Sequence, residues 1–304
     1  TDFCRFVENV STPVLQGTVA VAVDSDFMTS GIRLRHNLCC TQAAAVGCGD
    51  CIDCGAGVGC GMGIGCGSAV GPAICPLLHR GLRRTDVVFG LRHAQLEENL
   101  RVREDLEVID LTEEQDDDGF TPPQSGGVDI PIGTTFDVMD DFSTSNEFVG
   151  VDLGYIWEWE YRRWSLELAS RIALGNTRQR VMISGATTRV LPGPPVTSET
   201  AAGGLLTQAS NIGRYERDQF SVLPELGATV GFQVTQRFRV TFGYTLLYWS
   251  NVVRPGDQID LAINPDNIPF QTAGSMTEPL LPAFAFDDVS IWAQGISVGA
   301  DYSW

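Results

Sequence analysis

No stretch of this 304-residue chain approaches about 18 consecutive apolar residues, so no helix of it can cross a bilayer. Basic charge is scarce: 20 Lys+Arg stand against 38 Asp+Glu, a net charge of −18, which excludes the basic patches that a nucleic-acid surface needs. Histidine is almost absent, with only His36, His79 and His93 among 304 residues. No nucleophile–base pair is suggested by their positions, so the sequence points away from an enzyme and implies no cofactor. Long Ala/Glu/Lys/Leu-rich helical stretches are missing too. The first residue, Thr1, follows no charged-then-apolar leader, and the expectation is an exported chain whose signal peptide has been removed.

What the sequence has in quantity is alternation. A closed β-barrel is the other structure a bilayer accepts, and its strands of about ten alternating residues escape hydropathy scans. Three stretches begin with Arg at a turn and then alternate: from Arg83, from Arg162 and from Gln236–Arg237. Each is answered, after a long polar segment, by a second alternating run: Glu147–Trp159, Gln219–Gln233 and Asp288–Trp304. Very short turns join the runs around residues 160–162 and 235–237, while long loops are expected over 98–145, 185–217 and 252–287. Short turns at one end and long loops at the other are the asymmetry of an outer-membrane barrel. Leu15–Val23 and Phe27–Leu38 alternate more weakly, which brings the expected count to eight strands, with ten as the alternative. The expected fold is all-β, a single antiparallel up-and-down transmembrane β-barrel domain over residues 1–304.

The two faces of these runs divide cleanly. On β-type parity, one face carries Arg33, Arg35, Asp86, Arg92, Asp152, Glu158, Glu167, Arg171, Glu225, Arg237 and Arg239, a nearly balanced set of lumen-lining charges. The other face is apolar and ends in Trp157, Trp159, Trp164, Phe232, Phe238, Tyr302 and Trp304 near the short turns. Amphipathic rings at that place form the aromatic girdle between headgroups and hydrocarbon, and outer-membrane lipid is the expected partner. A soluble β-sandwich would instead scatter its charges outside and keep its apolar face in.

Two long segments, from "TTFDVMDDFSTSNEFVGVDLGYIWEWEYRRWSLELASRIALGN" and from "SNIGRYERDQFSVLPELGATVGFQVTQRFRVTFGYTLLYWSNVVRPGDQIDLAINP", resemble the planctomycete-type β-barrel porin family. The resemblance runs from about residue 83 to residue 304. It implies a porin-like barrel in the bacterial outer membrane. The ending "ISVGADYSW" is similar to the signal read by outer-membrane assembly machinery, with Val298, Gly299, Tyr302 and Trp304 in its key places.

A Cys/Gly-rich inserted turn, 39–82, interrupts the N-terminal part and holds Cys39, Cys40, Cys48, Cys51, Cys54, Cys60, Cys66 and Cys75. The spacing fits neither a ferredoxin cluster, which lacks its fourth Cys three residues on, nor paired zinc ligands, so no metal is expected. Disulfides in an oxidising compartment are the plainer reading. With Cys4 the total is nine, and an odd thiol is available to a wall or periplasmic protein. The acidic run "EEQDDDGF" at 113–120 reads as a solvated external loop. The functional expectation is a passive channel for small solutes or ions. The alternative is a structural envelope protein with a filled lumen, cross-linked through the Cys-rich turn.

Overall fold

A computed structural model describes residues 2–12, 14–41, 82–109, 124–125, 128–270 and 277–302. The described residues form eleven strands: β1 (Asp2–Ser11), β2 (Leu15–Thr41), β3 (Leu82–Val108), β4 (Gln124–Ser125), β5 (Val128–Asp129), β6 (Thr135–Tyr161), β7 (Trp164–Leu191), β8 (Thr197–Ala202), β9 (Gly213–Gln233), β10 (Phe238–Val252) and β11 (Val289–Tyr302). Nine make one antiparallel sheet in the order β1-β2-β3-β6-β7-β9-β10-β11, with short β8 beside β7, and β4 pairs β5 separately. Each long strand pairs with its neighbours along the chain, the meander that the alternating runs predict. Helix is limited among the described residues to two 3₁₀ turns, Pro255–Gln258 and Pro265–Asn267.

The turns follow from local chemistry. Tyr161 pairs with Trp164 across a two-residue hairpin in which Arg162 takes φ 57°. Such left-handed residues let the turn match the twist of its strands. At the β9–β10 turn the Thr235 hydroxyl accepts from the backbone N–H of Phe238 at 3.1 Å.

The strands are longer than the alternating runs suggest. β2, β3 and β6 each have 27 residues, about 90 Å of chain at about 3.3 Å per residue. Leu15–Val23 and Phe27–Leu38 are therefore not two strands but one. Their apparent break, Asp24–Asp26, stays in register with Asn99–Glu97 of β3. The acidic residues there mark a change in what the face meets, not a turn. The N-terminal member is instead β1, paired with β2 from Asp2↔Ser25 to Ser11↔Gln16.

The expected loops shrink accordingly. β3 runs to Val108 and β6 starts at Thr135, so much of 98–145 is paired strand. β7 continues to Leu191 and β8 to Ala202, inside 185–217. Within the expected loop 252–287, residues 253–270 and 277–287 depart most from an external loop. A bulge between Trp249 and Val252, with Asn251 at φ 56°, turns the chain onto the inner face of the sheet. There Val253, Ile259, Phe284 and Phe286 pack against Phe142, Val181 and Ile183. The Cys-rich segment 42–81, with Cys48, Cys51, Cys54, Cys60, Cys66 and Cys75, lies outside the described residues, as do 113–120 and Trp304. Cys39 and Cys40 lie in the backbone of β2, opposite Thr85 and Arg84.

Candidate functional site: the two-level wall and its inner face

Both faces of the sheet change polarity at one level. Outward residues of β6 are apolar from Val149 to Trp159 and become Glu147, Ser145, Ser143 and Asp141 towards the long loops. The same exchange occurs on β3 beyond Leu91, on β7 between Leu174 and Asn176, and on β9 between Phe220 and Asp218. The strand register puts these positions on one rung: His93↔Val149↔Asn176↔Phe220. Below that rung lies a lower level ending in the short turns; above it lies an upper level ending in the long loops.

The lower level is apolar outside and charged inside. Phe89, Leu91, Val149, Leu168, Leu226 and Phe242 are all exposed on the outer face. Phe220 to Phe232 on β9 spans 12 residue steps, about 40 Å of strand and about 28 Å along a normal when tilted about 45°. Phe238 to Tyr248 on β10 spans 10 steps, or about 23 Å on the same basis. Those heights bracket the ~25 Å apolar band of a membrane barrel.

Aromatic side chains edge this belt. Near the short turns, Tyr155 stacks on Trp157 (5.9 Å), Trp159 on Tyr161 (5.8 Å), and Trp164 lies 4.7 Å from Phe232. Phe238 is opposite Tyr302. An upper edge, not foreseen as a girdle, holds Phe220, Tyr248 and Trp292, with Tyr248 opposite Trp292.

Inside the lower level, most of the charges read from parity meet. Arg35 bonds Asp86 and, at 2.5 Å, Glu158, while Arg84 and Asn37 also donate to Asp86 at 2.9 and 2.7 Å. Arg33 reaches Asp152 at 2.5 Å. Arg92 and Arg171 both bond Glu225, and Arg92 lies 3.9 Å from Asp152. Asp86 and Asp152 are fully buried and Arg92 nearly so. The chain contains no lysine, so every one of these cations is an arginine, whose planar fork can serve two carboxylates at once. That absence was readable in the sequence and is the signal that the charges form a fixed network. Room for the long side chains comes from inward glycines: a Cβ on Gly154 would lie 2.5 Å from Arg171 Cγ. Glu167 shares this face opposite Glu158 and Thr229. Arg239 donates to the Ser165 hydroxyl. Arg237 falls in the exposed turn before β10, away from the network.

The upper level differs: its outer face is charged, and its inner face sets apolar side chains among buried polar ones such as Glu98, Asp140 and Asn146. Cross-strand pairs cover its outer face: Arg101–Asp141 at 2.7 Å, Arg103–Asp137 at 2.9 Å and Arg178–Glu216 at 2.7 Å. The Arg178 hydrogen bond, followed by that of Arg214, holds the Glu216 carboxyl below its ordinary pKa. Inside, directly above the charge network, Trp249 is fully buried among Ala94, Leu96, Phe148, Ala173, Leu223 and Val252. Its indole N–H donates to Thr177 Oγ1 at 3.1 Å, and Phe148 meets it edge-on at 6.2 Å.

Polar side chains then clamp the inward-folded segment. Asn146 bonds both the N–H and the carbonyl of Val253 at 2.8 Å. Arg254 grips Glu98 with two bonds of 2.7 and 2.9 Å, and Arg217 pairs with Asp288. Asp140 accepts from the N–H groups of Leu205, Leu206 and Thr207, fixing the loop after β8. Parity could not show these contacts, because they join residues more than 60 positions apart.

Among the described residues no group of three or more His, Cys, Asp or Glu is placed to hold a metal ion. No curated protein and no solved structure matches the chain. One family model does match, over residues 5–304, and so takes in the N-terminal strands that the resemblance left out. With an all-antiparallel sheet of nine strands and a match over nearly its whole length, this chain belongs to the Putative beta barrel porin-7 family.

Proposed function

We propose that the protein is a porin-type barrel of the bacterial outer membrane, held with its lumen occluded until the segment that begins at Val253 and carries Ile259, Phe284 and Phe286 moves. The observation that carries this reading is the single rung at which the outer face turns from apolar to charged. Water would not favour a mainly apolar belt about 25 Å high, and lipid would not favour the ion-pair ladders above it. The bilayer therefore belongs at the lower level, with the upper level standing in the external medium and the aromatic residues as interfacial girdles. In lipid an open sheet edge is untenable, so the edge of β1 and β2 closes against β11 to complete the cylinder.

Among the described residues seven long strands, β2, β3, β6, β7, β9, β10 and β11, reach the lower level, and a barrel of about that size leaves room for side chains and little more. The arginine–carboxylate network occupies the lower lumen. Trp249, Phe148 and the folded-in segment occupy the upper lumen. Arg92 Nε and Nη1 and Asp152 Oδ1 make no hydrogen bond within the protein, which favours a lumen narrow but wet around its charges. Transport of ions or small solutes follows from displacement of the segment, and assembly depends on the C-terminal signal that includes Val298, Gly299, Tyr302 and Trp304. The Cys-rich turn, on the periplasmic side in this orientation, is the proposed place of disulfides.

Planar-bilayer recording tests the reading. The wild type is expected to be closed with rare discrete openings, and Trp249→Ala to open far more often. A wide steady conductance in the wild type would overturn the occlusion. Silence in both proteins would leave the structural envelope role in place of the channel.

A further inference from the structure

The upper level contains a cavity that the proposed transport role does not use. About 210 Å³ in volume, it is lined by Leu15, Leu106, Ile130, Phe136, Val138 and Pro269 among others, with Glu104 the one ionisable side chain on its wall. Glu104 sits on the inner face of β3, between Val19 of β2 and Val138 of β6. No described residue donates a hydrogen bond to it or pairs with it.

Among the described residues no cation pairs with Glu104. On β1, Glu8 shares the face through Val19. On β6 the nearest charge is Asp140, already satisfied by backbone N–H groups and the Thr207 hydroxyl. β7 presents Thr187 and, two residues on and opposite Phe136, Arg189, whose guanidinium pairs with Glu199 at 2.8 Å and lies over the Phe270 ring; the segments over the cavity present Leu205, Ile268 and Pro269. A half-buried carboxylate facing other carboxylates and an apolar wall is costly. Accordingly burial, followed by the Asp140 charge, pushes the Glu104 carboxyl above its ordinary pKa.

We propose that this cavity binds a small organic cation, an apolar body carrying one ammonium group that pairs with Glu104. Size sets the class. An apolar protein cavity of ~150 Å³ accepts benzene, so this space suits a single ring with a short aminoalkyl arm. The charge-assisted bond supplies orientation, and the apolar wall supplies most of the contact. The inference rests on the cavity alone and holds whether or not the barrel conducts.

The test uses the full chain folded into phospholipid vesicles, with 2-phenylethylammonium as probe and 2-phenylethanol as its neutral counterpart, read by calorimetry. Saturable binding of the amine is expected, weakened about tenfold or more by Glu104→Gln, a change of nearly equal size. The alcohol should bind wild type and variant alike. Val138→Phe, which fills the cavity and keeps the carboxylate, should abolish amine binding; heat-modifiable migration verifies that both variants fold. Absence of saturable binding, equal affinity in Glu104→Gln, or undiminished binding in folded Val138→Phe would each overturn the proposal.

Discussion

Leu153→Arg separates a membrane wall from a wall in water most sharply. Leu153 is 41% exposed on the outer face of β6, opposite Phe89 of β3 and Ile172 of β7. It lies midway between Val149 and Trp157, near the middle of the apolar belt. The belt is about 25 Å high, so the nearest interface is about 12 Å away, beyond comfortable reach of a guanidinium. Neither outer neighbour can accept a hydrogen bond. An arginine at the midplane of a barrel's lipid face costs about 2–4 kcal/mol, roughly 30- to 700-fold in the folding equilibrium. On a wall facing water the same change would fall within about ±0.5 kcal/mol.

Ser145→Arg is the internal control, on the same strand and face but above the polarity rung, and it should cost close to nothing. The assay is reversible urea unfolding from phospholipid vesicles, followed by tryptophan fluorescence and heat-modifiable migration. Equal, small costs for the two substitutions would refute the placement of the bilayer.

Two further outcomes follow from the ion pairs. Arg92→Met removes the cation that faces Glu225 and Asp152, and breaking a buried pair in this way should destabilise the fold by about 3–5 kcal/mol. The urea midpoint reads that loss, and a shift worth under 1 kcal/mol would contradict a fixed network. The Glu216 carboxyl, depressed by Arg178 and then Arg214, contributes stability that is complete above its unfolded pKa of about 4.3 and fades as pH falls through the folded value. Glu216→Gln should therefore flatten the loss of stability below about pH 4, and an unchanged acid slope would show that the pair contributes nothing.

The alternation of β6, β7, β9 and β10 was legible because a period of two is a local property. Each residue's hydrophobicity and parity are enough to assign it a face, and Val149–Trp159 opposite Asp152 and Glu158 needed no knowledge of neighbours. The same parity put most of the charged residues on one face of their strands, where several now pair, while Arg237 lies in the turn before β10. The strand extensions were not legible. Above the rung the outer face becomes polar and the inner face mixes apolar side chains with polar ones, so one continuous strand such as Leu15–Thr41 looks, read alone, like a strand followed by a loop.

The described residues of the expected loop 252–287 differ from that expectation for another reason. Their Pro, Asp and Asn content is that of a loop, and whether a loop hangs outside or folds inward depends on what waits for it. Here the waiting groups are Phe142, Val181, Ile183, Asn146 and Glu98, supplied by strands more than 60 residues away in sequence.

By itself, then, the sequence determined that the chain is β, which side chains share a face, and that an apolar belt with aromatic edges runs beside a charged interior. All of these depend on residue type and spacing within single strands. Tertiary structure alone decided that Arg92 and Arg171 converge on Glu225, that Trp249 sits over them, that the bulge at Asn251 turns the following segment inward, and that Glu104 has no partner among the described residues. These depend on strand register, which hydrogen bonding sets between distant segments and which no single strand contains.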